Sequence, residues 1–181
     1  RYGVTAFCPT TVACTPAALR AVLSKVAEAR AARPATSARV LPAHLESNFI
    51  NPDYRGAQPL SCLRRPSDQA GDREGEFSAA DILAVIASAR TDVGIVTLAP
   101  ELPGGINLIR ALVAAGTRVS LGHSGATLDE AMAAIDAGAR HATHLFNRMT
   151  PMTHRAPGIA GAVLASDDVA AELICDGYHV H

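Results

Sequence analysis

Glu46, His123 and His144 each close a short apolar run, and together they offer one carboxylate and two imidazoles. That donor set suits Zn²⁺ or Fe²⁺ and leaves a coordination position for water, the arrangement of hydrolytic rather than structural metal sites. A divalent ion so held brings the pKa of its water to about 7 and polarises a carbonyl oxygen. Taken singly, a histidine at such a place is more often a hydrogen-bonded strand-end residue than a ligand. Three ligand groups at equivalent strand ends shift that balance towards a metal site.

Other polar groups recur at the same positions: Thr10 and Thr11 after the first run, Glu101 after the third, Asn147 after the fifth, Asp176 and His179 after the sixth. His141 precedes His144 by an odd spacing, so on an extended strand the two face opposite sides. His144, at the end, is the expected ligand and His141 lies deeper. His44 shares the face of Glu46 one layer down, where it either orients the site or is a satisfied core histidine. Gly122-His123-Ser124-Gly125 invites a serine-nucleophile reading, but the nucleophile elbow requires Gly-x-Ser-x-Gly and Ala126 stands in the last place.

The elements that position these groups are legible in the pattern. Apolar runs at Gly3–Cys8, Arg39–Leu45, Val93–Leu98, Arg118–Leu121, His141–Phe146 and Val169–Cys175 are rich in Val, Ile, Leu or Thr and too short for helices. Between them, Thr15-Pro16 predicts a helix start, with Leu19, Val22, Leu23 and Val26 at helical spacing. Ser78 with Asp81 and Thr127 with Glu130 are predicted capping boxes. Gly116 and Gly138 are predicted helix stops, and Gly158–Leu164 is expected to form one or two turns of helix. Strand–helix alternation implies parallel strands with helices outside. Both a (β/α)8 barrel and a doubly wound sheet gather functional residues at the carboxyl ends of their strands. Residues 47–76, with many Pro, Gly and charged residues, form a long loop expected to act as a lid or binding loop.

At 181 residues, 49% hydrophobic and 18% charged, the chain has the composition of one folded domain, residues 1–181, and excludes disorder. A net charge of −1 gives no basic footprint for nucleic acid or an anionic membrane, and no apolar run is long enough to span a bilayer. Four cysteines without CxxC spacing point to a reduced, cytoplasmic setting. The chain opens at Arg1-Tyr2-Gly3 and stops just after an apolar run, so it is expected to be an interior piece of a longer protein.

The blocks His44-Leu45-Glu46, Asn51-Pro52, Arg55-Gly56-Ala57, Val96–Glu101, Gly122-His123-Ser124, His141–Asn147, Pro157-Gly158 and Asp176–Val180 occur in an order that resembles the N-acetylglucosamine-6-phosphate deacetylase family of the amidohydrolase superfamily. The resemblance implies a metal-dependent (β/α)8 barrel, here about six of eight βα units. It also implies hydrolysis of the N-acetyl group of N-acetylglucosamine 6-phosphate in amino-sugar catabolism, by a homodimer. It puts a divalent metal, zinc before iron, on Glu46, His123 and His144. Asn147 and the backbone at Arg148 match positions contacting the substrate phosphate, Arg155 the phosphate-pairing arginine, and His179 a histidine bonding the sugar. Ala57 and Gln58 fall at substrate-binding positions of the long loop. The general base of the family, an Asp on the last strand, is expected downstream, and Asp176 is expected only to support the loop holding His179. Three departures stand out: Ser47-Asn48 where the family usually has Gly-Pro, Gln58 where many members have His, and Arg148 where a small residue is usual. Two alternatives remain: an amidohydrolase acting on another acylated amine, and a non-catalytic sugar-phosphate-binding protein.

Overall fold

The computed structural model describes residues 3–33, 36–68 and 76–181. Arg1, Tyr2 and residues 69–75 of the predicted long loop therefore lie outside the described residues.

Eight short strands, five α-helices and three single-turn 3-10 helices lie among the described residues. The strands are β1 (Ala6–Phe7), β2 (Thr10–Thr11), β3 (Arg39–Val40), β4 (Ala43–Glu46), β5 (Val93–Leu98), β6 (Arg118–Leu121), β7 (His141–Ala142) and β8 (Ala170–Ala171). The helices are α1 (Pro16–Ala32), α2 (Ala79–Ser88), α3 (Gly105–Ala114), α4 (Leu128–Asp136) and α5 (Gly158–Leu164). A six-stranded sheet runs β2-β4-β5-β6-β7-β8, and β1 pairs with β3 in a second sheet of two strands. Every pairing is parallel, as the alternation of elements requires.

The helix signals act as predicted. Thr15 caps α1 through the Ala18 amide, and reciprocal capping boxes open α2 at Ser78 and α4 at Thr127. Gly116 and Gly138 follow α3 and α4 with φ of +83° and +108°, conformations that cost a residue with a Cβ. The inward faces of these helices, with Leu23, Ile82, Val85, Ile109 and Ala134, close over Leu45, Val96, Leu98, Val119 and Leu121 of the sheet in one apolar core. Among the described residues, no helix is long and apolar enough to cross a membrane.

The strands depart from expectation in four places, the sixth run, Val169–Cys175, pairing only at β8. The predicted strand Arg39–Leu45 is two: β3 belongs to the small sheet and β4 to the large one, with Pro42 between them lacking the N–H a ladder needs. The first run pairs only at β1, and the chain enters the large sheet later, at β2. The fifth run is extended only over His141–Ala142. Positive φ at His144, Phe146 and Arg148 then turns the chain out of the sheet.

Candidate metal centre

Glu46 ends β4, and pairing with β5 sets Glu46 beside Thr97. His123 lies two residues beyond β6, and His144 two beyond β7. Parallel neighbours at matched register bring all three to one edge of the sheet, although they are far apart in sequence. Both imidazoles reach it through backbone turns, with φ of +50° at His123 and +32° at His144.

Their ligand atoms converge. His123 Nε2 is 3.2 Å and His144 Nε2 3.1 Å from Glu46 Oε1, and the two ring nitrogens are 3.1 Å apart. Neighbouring donors around a tetrahedral ion bound at about 2.0–2.1 Å stand about 3.3 Å apart, so this near-equilateral triangle matches one face of such a site. Two imidazole nitrogens meeting at that distance need a cation or a proton between them, and the donor set fits a divalent metal. Among the described residues this is the group of His, Cys, Asp and Glu side chains that could hold an ion.

The ring orientation of His123 is fixed from behind. Its Nδ1–H donates to the Tyr54 carbonyl at 2.8 Å, which leaves the Nε2 lone pair facing the cluster. Gly125 packs against the Tyr54 ring so closely that a Cβ there would lie 2.7 Å from ring carbon Cε2. The Glu46 carboxylate loses solvation by burial, but hydrogen bonds and charge from His123 and His144 outweigh this and hold its pKa below the usual carboxylate range. Burial also opposes charge on His144, yet the adjacent Glu46 carboxylate raises its pKa.

The remaining predicted residues divide between places. Gln58 is buried and donates through Nε2 to Glu46 Oε2, while Ala57 is exposed beside it. Asn147, Arg148 and His179 join His144, Tyr54 and Phe146 around a cavity of about 510 Å³ next to the triangle. Arg155 is exposed and lines a different cleft, with residues 125–129, Thr150 and Pro157. Asp176 accepts from the backbone amides of Tyr178 and His179 and from His179 Nδ1, so it holds the turn that presents His179. Glu101 accepts from Ser124 Oγ, the Gly125 amide and Asn51 Nδ2 at 2.6–2.9 Å. It braces the His123 loop instead of joining the cluster. The Ser124 hydroxyl is fully buried, donating to Glu101 and accepting the Ala126 amide, so it is not presented to a substrate as a nucleophile.

His44 is buried, with its pKa drawn down to about 4, chiefly by burial. Its Nε2 meets Thr97 Oγ1 at 2.6 Å; Thr97 in turn meets Thr143 Oγ1 at 2.7 Å, and Thr143 meets Ser120 Oγ at 2.6 Å. This buried polar row crosses four neighbouring segments just beneath the site. The Ser47-Asn48 departure is accommodated: Ser47 Oγ donates to the Thr97 carbonyl, and Asn48 Nδ2 donates to the Cys14 and Cys62 carbonyls. Sequence reasoning missed Glu172, which lies 3.9 Å from His44 Nδ1 with its pKa raised, first by burial. A lone carboxylate inside the apolar run Val169–Cys175 was the available signal. The Tyr54 carbonyl, being backbone, left none.

No protein-family model matches the chain. It is 38% identical over 181 residues to N-acetylgalactosamine-6-phosphate deacetylase of Escherichia coli O157:H7, covering all of this chain and 45% of that one. It is 41% identical to N-acetylglucosamine-6-phosphate deacetylase of Rattus norvegicus, covering 99% of this chain and 42% of that protein. The crystal structure of N-acetyl-D-glucosamine-6-phosphate deacetylase from Mycobacterium smegmatis aligns with a TM-score of 0.83 at 32% identity, over 99% of this chain and 43% of the other. A mutant of that protein in complex with N-acetyl-D-glucosamine-6-phosphate aligns with a TM-score of 0.82 at 33% identity, over the same shares of the two chains. The chain thus spans less than half the length of these relatives. Over its whole length the chain is similar, at 31–41% identity, to proteins named N-acetylglucosamine-6-phosphate or N-acetylgalactosamine-6-phosphate deacetylase.

Proposed function

We propose that the protein is a metal-dependent amidohydrolase that removes the N-acetyl group from an N-acetylhexosamine 6-phosphate, releasing acetate and the free amine. The observation that carries this reading is the triangle of Glu46, His123 and His144 beside an open cavity. A divalent ion held there, zinc before iron, would supply a water of lowered pKa and an electrophile for the acetamide oxygen. The protein's own groups do the rest. Glu46 offsets the charge of the ion, and His123 and His144 offer neutral Nε2 donors. Asn147, Arg148 and His179 line the cavity in which the sugar and its phosphate would be oriented. The family resemblance also implies substrate-binding roles for Ala57, Gln58 and Arg155, of which Gln58 is bonded to Glu46 and Arg155 lines the separate cleft.

Asp176 is committed to its turn. The family resemblance supplies the rest of this reading: a general base, an Asp on the last strand of a complete (β/α)8 barrel, and a cytoplasmic homodimer. The relative named for the galactosamine sugar favours testing both epimers. The test is metal analysis of the purified complete protein together with acetate release from N-acetylglucosamine 6-phosphate and N-acetylgalactosamine 6-phosphate. His123→Ala and His144→Ala are expected to lose both metal and turnover. Unchanged metal content in either variant removes that residue from the site; metal-free wild-type protein with no acetate release favours a sugar-phosphate-binding role.

A further inference from the structure

The family resemblance places Gln58 against substrate, but every hydrogen bond it makes points elsewhere. The residue is 3% exposed. Its Oε1 accepts the Ala13 backbone N–H at 2.7 Å. A backbone N–H can only donate, so this contact settles which end of the amide is oxygen. The Nε2 group is left to donate to Glu46 Oε2. Its own backbone is held as well, with its N–H on the Arg55 carbonyl and its carbonyl on Arg55 Nη1.

The consequence falls on Glu46. A carboxylate torsion is broad and roughly two-fold, so an unrestrained Glu46 could turn either oxygen, or both, towards the imidazoles. With Oε2 occupied by the amide, Oε1 alone faces His123 and His144. An amide is the suitable partner because it donates without adding a positive charge that would repel a cation. The same loop holds His123 through the Tyr54 carbonyl, so residues 54–58 orient two of the three ligand groups from outside.

We infer that Gln58 is a positioning residue for the metal centre, which presents Glu46 to the ion through a single oxygen, and is not a substrate contact. This inference rests on the proposed metal site. It is tested by measuring Zn²⁺ affinity of the wild-type protein, Gln58→Met and Gln58→Ala by competition with a chromophoric chelator, with the thermal midpoint of each metal-free protein recorded alongside. Gln58→Met keeps the bulk and removes the donor; Gln58→Ala opens room for water should methionine prevent folding. The expected result is zinc affinity 10–100-fold weaker in the folded variants, the usual effect of removing a ligand's hydrogen-bond partner, with KM at saturating zinc changed less than about threefold. Zinc affinity within threefold of wild type together with a raised KM would return Gln58 to the substrate and overturn the inference. A lowered thermal midpoint with unchanged zinc affinity would overturn it too, by reducing Gln58 to a loop support. Wild-type protein that binds no zinc is a separate result and counts against the metal site itself.

Discussion

His123 and His144 occupy backbone conformations that L-residues rarely adopt, each at a cost of about 1–3 kcal/mol. Such strain persists only where surrounding bonds over-determine the geometry. For His123 they do: Ser124 Oγ and the Gly125 amide both donate to Glu101, the Ser124 amide donates to the Arg148 carbonyl, and the Asn51 amide donates to the His123 carbonyl. Glu101→Ala removes a charged acceptor from three donors and is expected to cost about 1.5–3 kcal/mol per effective bond lost, seen as a lower urea midpoint. A midpoint unchanged from wild type would show that the loop holds its shape by other means. Arg148, at φ +51°, lies along Gly56, where a Cβ would come within 3.0 Å of its Nε. It is the arginine lining the cavity, whereas Arg155 lines the other cleft. Arg148→Ala is expected to raise KM for a 6-phosphorylated sugar about tenfold or more, and to leave the unphosphorylated sugar nearly unaffected. Equal effects on the two sugars would remove Arg148 from anion recognition. Arg155→Ala in the same assay reports whether the second cleft takes any part.

The helices repeat at the scale of the element what their end residues specify. Thr127 and Glu130 satisfy each other's backbone donors at the start of α4, the helix that follows the His123 loop. Thr127→Ala is expected to cost about 1 kcal/mol, read as a shift in the denaturant midpoint with an unchanged slope. A loss well below that would mean water replaces the cap. Strands were less legible. Composition marks the apolar runs, but strand limits follow from pairing partners and backbone turns: Pro42 splits one run, and His144 leaves the sheet although the run continues to Phe146. Site residues followed the same division. Glu46, His123 and His144 could be named from type and position, while Glu172 and the Tyr54 carbonyl could not be weighed until packing placed them.

At the scale of the molecule, the six-stranded sheet has β2 and β8 at its edges, each two residues long and parallel to its single neighbour. Large apolar side chains near these edges, among them Val12 and Leu173, are exposed. Such edges invite pairing with another strand. A polypeptide of residues 1–181 alone is therefore expected to self-associate in sedimentation experiments; a stable monomer across the micromolar range would show the edges are protected. The sequence by itself determined the apolar faces of the helices, the caps of α1, α2 and α4, the parallel pairing and the three candidate ligand residues, because these depend on residue chemistry and short-range periodicity. Only the tertiary structure decided that Glu101 braces a loop, that Arg148 and Arg155 part company, and that Gln58 turns its amide on Glu46. Those outcomes depend on which backbone groups are near in space, and contacts across dozens of residues leave no periodic trace along the chain.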